Sequence, residues 1–351
     1  MKKIFILTSS ILLLSIITHA QEIGQILSGS IADANKYLNN YLEPFGKGEI
    51  LNMGRGWFNT ARVHKKLGFD ISVNVQLAIV PDDKQSFVFN KTDYSTFKLT
   101  NNASSAVVPT FLGSNPSTVQ AVSISVSTQV NGKNVNYDFK APGGIGDDLK
   151  KNLSLIAVPL PVAQVGIGLI KHTDLKLRYF PKTNFSGTEI GVFGLAVQHE
   201  FSNYLPFFKK IPFLHFSGLV GYNSVNTSFD LTGKGVSGSN QKAELSISAL
   251  TVQGIASVKL AMFEFYTSIG YVTGKADATL KGSYTFTYKD DVNPIITYSN
   301  TVNDPVALSY TTNSITNSWG LRVHILFLKV FADYTFANYN GASAGVAFSF
   351  R

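Results

Sequence analysis

Alternation of apolar and polar residues with a period of two is the feature that most limits how this chain can fold. From Phe69 to Ile79 the odd positions are apolar and the even positions are polar, apart from Ala78. Successive side chains of a β-strand point to opposite faces, so this pattern predicts a strand with one apolar and one polar face. The alternation returns in nine later segments, at residues 164–169, 175–179, 193–198, 214–222, 250–258, 263–271, 319–325, 330–336 and 342–350.

The links between these segments are alternately short and long. Outer-membrane barrels have short periplasmic turns, longer external loops and an even number of strands. Counting back from Arg351 in the periplasm places the short links on the periplasmic side and gives ten strands. Residues 86–89 and 119–139 show further alternation, which either adds two wall strands or forms a hairpin above the membrane. We therefore predict an all-β fold, a transmembrane antiparallel up-and-down β-barrel of 10–14 strands with an N-terminal amphipathic helix or plug.

Composition agrees with this fold class and excludes several others. Only 15% of the residues are charged, and 44% are hydrophobic. After residue 21 no apolar run approaches the roughly 20 residues that a membrane-spanning helix needs. The absence of cysteine excludes disulfides, thiolate metal sites and cysteine nucleophiles. The positive charges are spread along the sequence, and we expect no binding of nucleic acid.

Residues 1–20 have the organisation of a secretory signal peptide. Lys2 and Lys3 precede an apolar stretch from Ile4 to Ile17, and a small-residue cleavage site ends at Ala20. We expect cleavage after Ala20 and localisation in the cell outer membrane of a Gram-negative bacterium.

The region between the signal peptide and the first strand has a different pattern. Apolar residues recur every three or four positions from Ile23 to Leu42, which predicts an amphipathic helix. Pro44, followed by Gly46 and Gly48, is expected to end it. We predict that residues 21–66 form a helix and plug segment in the lumen, or alternatively a peripheral helix on the inner leaflet. Residues 67–351 then form the barrel, with a large external segment at about residues 81–160.

Several blocks resemble an uncharacterised family of bacterial outer-membrane β-barrel proteins, a domain-of-unknown-function group. The blocks are residues 41–44, Val80-Pro81, 164–169 with Arg178-Tyr179, 216–222 and the aromatic C-terminus at Phe348 and Phe350. The resemblance covers essentially the whole chain and implies the barrel fold, without any catalytic or ligand residue. The C-terminus also resembles the assembly signal of such barrels, which implies the barrel assembly machinery as a partner. More distantly, a luminal segment followed by a barrel is similar to the long-chain fatty acid transporter family, which implies fourteen strands and transport.

Ionisable residues at the polar positions of the alternating segments are expected to face the lumen. They are Asp70, Lys176, Arg178, Glu200, His215, Glu264, Arg322, His324, Lys329 and Asp333. We hypothesise a charge-paired network that holds the N-terminal segment and closes the periplasmic half of the pore. The alternative is an open channel in which these groups are hydrated and each ion pair contributes little.

No catalytic, metal or cofactor site is predicted. His215 and Ser217 are similar to the histidine and serine of outer-membrane phospholipases, but Gly218-Leu219 replaces the Asn-Gly of those enzymes. The histidines have no metal-ligand spacing. We predict a channel or transporter for small solutes, hydrophobic ones included. The alternative is a non-transporting structural or surface-interaction barrel, and an outer-membrane hydrolase comes third. The expected partners are outer-membrane lipids, the assembly machinery and a small hydrophobic solute.

Overall fold

The computed structural model describes residues 25–113, 122–130, 132–185, 187–202, 204, 211–233, 237–289 and 297–350. The helices are α1 (Ile31–Met53) and α2 (Gly146–Leu153). The strands are β1 (Phe69–Ile79), β2 (Ser86–Asn90), β3 (Phe97–Leu99), β4 (Ser105–Pro109), β5 (Ser123–Val130), β6 (Lys133–Lys140), β7 (Ala157–Gly168), β8 (Thr173–Phe185), β9 (Thr188–Glu200), β10 (Leu214–Asp230), β11 (Ser237–Leu260), β12 (Phe263–Lys289), β13 (Thr297–Asn303), β14 (Val306–Ile325), β15 (Leu328–Phe336) and β16 (Gly341–Phe350).

Ten of the described strands form a closed antiparallel ring. The order around the ring is β11, β10, β9, β8, β7, β1, β16, β15, β14 and β12, and pairing of β11 with β12 closes it. β1 pairs with β16, which brings Phe69 opposite Phe350. The predicted antiparallel up-and-down barrel is confirmed, with the smallest strand number in the predicted range.

The remaining strands lie outside the ring at one end. β2 pairs with β4, β5 pairs with β3 and β6, and β13 pairs with the distal part of β12. The alternation at residues 86–89, and at the described part of 119–139, therefore belongs to these hairpins. We call this end of the ring the upper end, and the end where β1 begins and β16 ends the lower end. Neither described helix is long and apolar enough to span a membrane.

Near the lower end the ring is apolar outside and polar inside. On β12 the odd positions point outward, and from Phe263 to Tyr271 they are apolar apart from Thr267; the Phe265 side chain is 54% exposed. The even positions Glu264 and Ser268 are buried inside the ring. A tilted strand needs about 9–11 residues to cross a bilayer, so the length of this band fits a single crossing.

Above this band the polarity of the two faces reverses while the side-chain parity stays the same. Inward positions of upper β12 and β14 are apolar: Val272, Ala276, Tyr284, Phe286, Tyr288, Val306, Leu308 and Tyr310. Outward positions there include Lys275, Asp277 and Thr285. The same strands therefore leave an apolar surrounding and enter an aqueous one near Tyr271.

Helix α1 lies inside the ring, against β14, β12, β11, β1 and β7. The expectation that Pro44 ends the helix is wrong, since α1 continues through Pro44, Gly46 and Gly48 to Met53. Gly46 lies against the wall, where an added Cβ would be 2.7 Å from Cδ2 of Tyr310. Packing inside the ring thus outweighs the low helix propensity of proline and glycine.

One side of α1 faces the long strands β11, β12 and β14, and the other side packs against the external segment between β1 and β7. The rings of Tyr37 and Phe87 lie 5.4 Å apart, and those of Phe45 and Phe111 lie 5.5 Å apart. The backbone N–H of Phe111 donates to the carbonyl of Tyr41 at 2.8 Å. The upper half therefore has an ordinary hydrophobic core with α1 at its centre.

Candidate functional site: the luminal segment

Residues 54–68, which we call the luminal segment, connect α1 to β1 through the lower half of the ring. The chain enters from the upper end, where the Tyr288 hydroxyl donates to the carbonyl of Ser28. It leaves at the lower end, where the N–H of Gly168 donates to the carbonyl of Gly68 at 2.7 Å. The luminal segment has no regular secondary structure, so its buried backbone groups need partners from elsewhere.

Amide side chains on the wall strands supply many of these partners. Each donates its side-chain N–H to a backbone carbonyl of the luminal segment or of the end of α1. The pairs are Gln76 to Arg55 (3.0 Å), Gln164 to Trp57 (3.3 Å), Gln198 to Thr60 (2.9 Å), Asn223 to Met53 (2.9 Å) and Gln253 to Gly54 (3.2 Å). These amides come from β1, β7, β9, β10 and β11, so they hold the segment from many directions.

Cationic side chains of the wall also donate to the luminal segment. Lys176 Nζ donates to the carbonyl of Trp57 at 2.9 Å, and Arg178 Nη2 donates to that of Arg55 at 2.9 Å. The Arg178 guanidinium lies 3.6 Å from the centre of the Trp57 ring, which is fully buried. On the opposite wall, Arg322 Nη1 donates to Asn59 Oδ1 at 2.7 Å. Guanidinium over an indole ring is a favourable cation–π arrangement.

Three carboxylates accept hydrogen bonds from the part of the segment nearest the lower end. Glu200 accepts from the N–H of Val63 at 3.1 Å, and Asp174 accepts from the N–H of His64 at 2.9 Å. Glu264 accepts from the hydroxyl of Thr60. Hydrogen bonds to ionised acceptors are about twice as strong as neutral ones.

Each of these three carboxylates is also paired with a histidine. His64 Nδ1 lies 2.8 Å from Asp174, His215 Nδ1 lies 2.7 Å from Glu200, and His324 Nε2 lies 2.8 Å from Glu264. In this lower region the close side-chain partners of these three carboxylates are therefore histidine rings. Two of these histidines reach the luminal segment only through their carboxylate partner.

All ten ionisable residues selected from the sequence lie on the inner face, but they do not all contact the luminal segment. Six contact it directly: Asp70, Lys176, Arg178, Glu200, Glu264 and Arg322, of which Asp70 lies 3.9 Å from Nε2 of His64. His215 and His324 bind the carboxylates. Asp333 accepts from the Tyr266 hydroxyl at 3.0 Å, and Lys329 donates to the carbonyl of Leu326. That the network closes a pore stays a prediction.

Residues that the sequence reasoning missed make a large part of these contacts. Gln76, Gln164, Gln198 and Gln253 all stand on the polar parity of predicted strands, so parity alone could have found them. Selection by charge does not find them, because amides are neutral. His64 lies in the luminal segment before β1, and Asp174 lies at the start of β8, so alternation gives no signal at either residue.

His215 and Ser217 are each bound to a different side chain. Ser217 accepts from the side-chain amide of Gln198 at 2.9 Å, while His215 is bound to Glu200. Within the described part of the chain, no group of three or more His, Cys, Asp or Glu side chains is placed to hold a metal ion.

A groove of about 590 Å³ lies in the outer, apolar face of the wall across β11, β12, β14 and β15. Its sides include Phe265, Trp319 and Tyr334. Tyr266 and Asp333, whose side chains belong to the inner face, also line it. The groove therefore brings an apolar outer surface close to a polar pair of the lumen.

A family model described as "Family of unknown function (DUF6588)" matches residues 1–350. No curated protein is significantly similar in sequence.

Among solved structures the chain is similar to several outer-membrane barrels. The outer membrane protease OmpT of Escherichia coli is 10% identical, with a TM-score of 0.29 over 82% of this chain and 97% of that one. The translocator domain of the autotransporter NalP of Neisseria meningitidis is 11% identical, with a TM-score of 0.24 over 82% and 90%. A FadL homologue of Pseudomonas aeruginosa is 12% identical, with a TM-score of 0.22 over 89% and 95%. These likenesses concern the fold alone.

Proposed function

The chain belongs to the family of unknown function DUF6588, and we propose that it is a closed outer-membrane barrel that presents its upper end for interactions at the cell surface. The sequence patterns alone rank a channel first, whereas the filled lumen favours the non-transporting alternative. The proposed role includes no catalysis.

The observation that carries this proposal is that strands from all sides of the ring hydrogen-bond to the luminal segment. Side chains of β1, β7, β8, β9, β10, β11, β12 and β14 hydrogen-bond to residues 53–64. Barrels of about eight strands are just wide enough for side chains to fill, and this ten-stranded ring also holds the luminal segment. Displacing that segment would leave buried donors and acceptors without partners, which costs about 1–3 kcal/mol for each group.

The upper half supports a role in surface interaction. Its core joins α1, the tall strands β11, β12 and β14, and the segment between β1 and β7 into one packed unit. This unit rises above the apolar band, so in a bilayer it would stand in water. We propose that the short links face the periplasm, that the signal peptide is removed after Ala20 and that the assembly machinery inserts the barrel.

Single-channel recording of the purified protein in planar bilayers tests whether the barrel is closed. We expect no stable conductance steps from the wild type. A triple variant, K176A/Q198A/Q253A, removes three donors to the luminal segment on β8, β9 and β11, and we expect it to show intermittent steps. The matched control, K182A/E189A/K242A, changes outward residues of the same strands at the upper end and should stay silent. Steady steps from the wild type would contradict the proposal.

Passage of a small hydrophobic solute is the second candidate, and the groove of about 590 Å³ favours it. A fatty acid could enter this groove from the hydrocarbon and reach Tyr266 and Asp333. Mass spectrometry of gently purified protein should then show a retained fatty acid that A256W removes and A163W, on β7 in the opposite outer wall, does not. Equal retention by both variants would contradict this second candidate.

A further inference from the structure

The lower-end links of the barrel contain positive charges and no negative ones. Residues 62–68, 169–172, 201–213, 259–262 and 326–327 contain no Asp or Glu. Their basic residues are Arg62, Lys65, Lys66, Lys171, Lys209, Lys210 and Lys259. Lys209 and Lys210 lie outside the described residues. We call the described part of these links the lower rim.

The carboxylates closest to the lower rim are turned into the barrel. Asp70, Asp174, Glu200 and Glu264 are each at most 6% exposed, and three of them are bound to histidines. Lys65, Lys66 and Lys171 are exposed, and none of the three forms an ion pair with a carboxylate in the described ranges. Their charges therefore face the surroundings of the protein.

The upper end has a different charge pattern, because several of its exposed lysines have acidic neighbours. Lys275 lies 2.9 Å from Asp277, Lys36 lies 3.5 Å from Asp93, and Lys281 lies 3.5 Å from Asp304. The positive excess that is spread along the sequence is thus gathered by the fold at one end. Charge of a single sign on one surface favours a partner of the opposite sign.

Apolar side chains lie between the positive charges of the lower rim. Leu67 is 71% exposed beside Lys66, Ile170 is 62% exposed beside Lys171, and Leu326 is 86% exposed in the link between β14 and β15. These residues continue the outer apolar band to the very end of the wall. Lysines with apolar neighbours at the edge of such a band are placed at the depth of lipid headgroups, with their stems along the hydrocarbon.

We propose that the lower rim binds the phosphate headgroups of anionic phospholipids in the adjoining leaflet. The apolar residues would anchor the rim at the interface, and Lys65, Lys66 and Lys171 would select anionic over zwitterionic lipids. The inference goes beyond the proposed function, since it holds for a closed barrel and for a channel alike. Screening by salt should weaken the preference, because the lysines are exposed.

Native mass spectrometry of the full chain, released from nanodiscs with equal amounts of phosphatidylglycerol and phosphatidylethanolamine, tests the proposal. A lysine near an anionic surface contributes on the order of fivefold at low salt. We therefore expect bound phosphatidylglycerol to exceed phosphatidylethanolamine, and K65Q/K66Q/K171Q to lower that ratio by at least about threefold. The matched control, K91Q/K98Q/K133Q, removes three exposed lysines of the upper end and should leave the ratio unchanged. Heat-modifiable gel mobility shows that each variant has folded.

Two results would overturn the proposal. One is a lipid ratio that is the same in the lower-rim variant as in the wild type. The lysines would then bind a different polyanion, such as an acidic protein. The other is an equal fall of the ratio in both triple variants, because the preference would then come from overall charge. A lower lipid ratio in the lower-rim variant alone supports the proposal. A wild-type ratio that falls when salt is added supports it as well.

Discussion

The lower and upper halves of the wall are built from the same strands, yet they bury opposite kinds of side chain. On β14, Ser318 and Arg322 are buried inside the lower half, and Leu308 and Tyr310 are buried inside the upper half. Outside, Trp319 and Leu321 give way to Thr311 and Asn313. The same alternate positions point inward in both halves, so the difference in side-chain polarity reflects what surrounds each half. Lipid outside requires an apolar coat and a polar lumen, whereas water outside permits an apolar core.

The lumen of the lower half therefore needs another kind of cohesion. The upper half is held by packing of α1 against aromatic residues. The lower half is held mainly by hydrogen bonds to the luminal segment, beside a smaller apolar cluster that includes Trp57, Phe58 and Tyr266. Four predictions test this contrast, beginning with the largest expected effect.

Removing a buried ring from the upper half should be the most damaging change. Tyr310 packs against Gly46 of α1 and is 4% exposed. We expect Y310A to lower the free energy of unfolding by about 3–5 kcal/mol, the usual cost for a buried aromatic residue. Ser318 is an inward residue of the lower half on the same strand, and its hydroxyl has one hydrogen-bond partner, the Thr335 hydroxyl at 2.8 Å. S318A should cost about 1 kcal/mol. Equal costs in urea unfolding would contradict the contrast.

A charged residue placed on the outer face should have different effects on stability inside the apolar band and above it. Leu321 lies in the apolar band of β14, and Thr311 lies above it on the same face. We expect L321R to destabilise the barrel in phospholipid vesicles by about 2–4 kcal/mol, the depth-dependent cost of arginine near the midplane. T311R should change stability by less than about 0.5 kcal/mol, as surface substitutions usually do. If T311R proves as costly as L321R, the band extends higher than Tyr271.

The hydrogen bonds that join α1 to the external segment through Asp33 should depend on pH. Asp33 accepts from the N–H and hydroxyl groups of Ser95 and Thr96 at 2.6–3.1 Å. Burial opposes ionisation, but these hydrogen bonds, with Thr96 first, outweigh it and lower the pKa of Asp33. The folded pKa is depressed, so the stabilisation is complete above the ordinary aspartate value of about 3.9 and is lost as the pH falls through the folded pKa.

Asparagine at position 33 tests this tie without changing its shape. Hydrogen bonds to charged groups contribute about 1.5–3 kcal/mol, so D33N should lose roughly that much at pH 7 and less at pH 2. Hydrogen exchange at residues 95 and 96 measures the loss locally. A loss of equal size at both pH values would show that the carboxylate charge is not the cause.

Single donors to the luminal segment should have the smallest effect. We expect Q253A to cost about 1 kcal/mol, since it removes one neutral hydrogen bond to Gly54 among many. Its clearest readout is faster hydrogen exchange within residues 54–60, with the upper core unchanged. Exchange that accelerates equally in α1 would mean that the two halves open together.

Much of this architecture could be predicted from local pattern. Alternation located all ten wall strands, and the alternation of link lengths gave their up-and-down order. Parity also placed the ten ionisable residues on the inner face. These features are local, because a strand sends neighbouring side chains to opposite faces whatever it packs against.

Contacts inside the barrel could not be predicted in the same way. Pro44 and Gly46 predict a helix end when read alone, but Gly46 fits the close approach of α1 to Tyr310. Gln198 and Gln253 have no special signal in a polar face until a segment with unpaired carbonyls lies opposite them. His64 and Asp174 are distant in sequence and meet only because β8 passes the end of the luminal segment.

The sequence by itself therefore determined the class of fold, the order of the wall strands and the face on which each side chain lies. The tertiary structure alone decided what fills the lumen, where the polarity of the wall reverses and how scattered lysines gather on the lower rim. The physical reason is that strand parity depends on neighbours along the chain, whereas a partner for a buried carbonyl or an unpaired charge comes from residues brought close by ring closure.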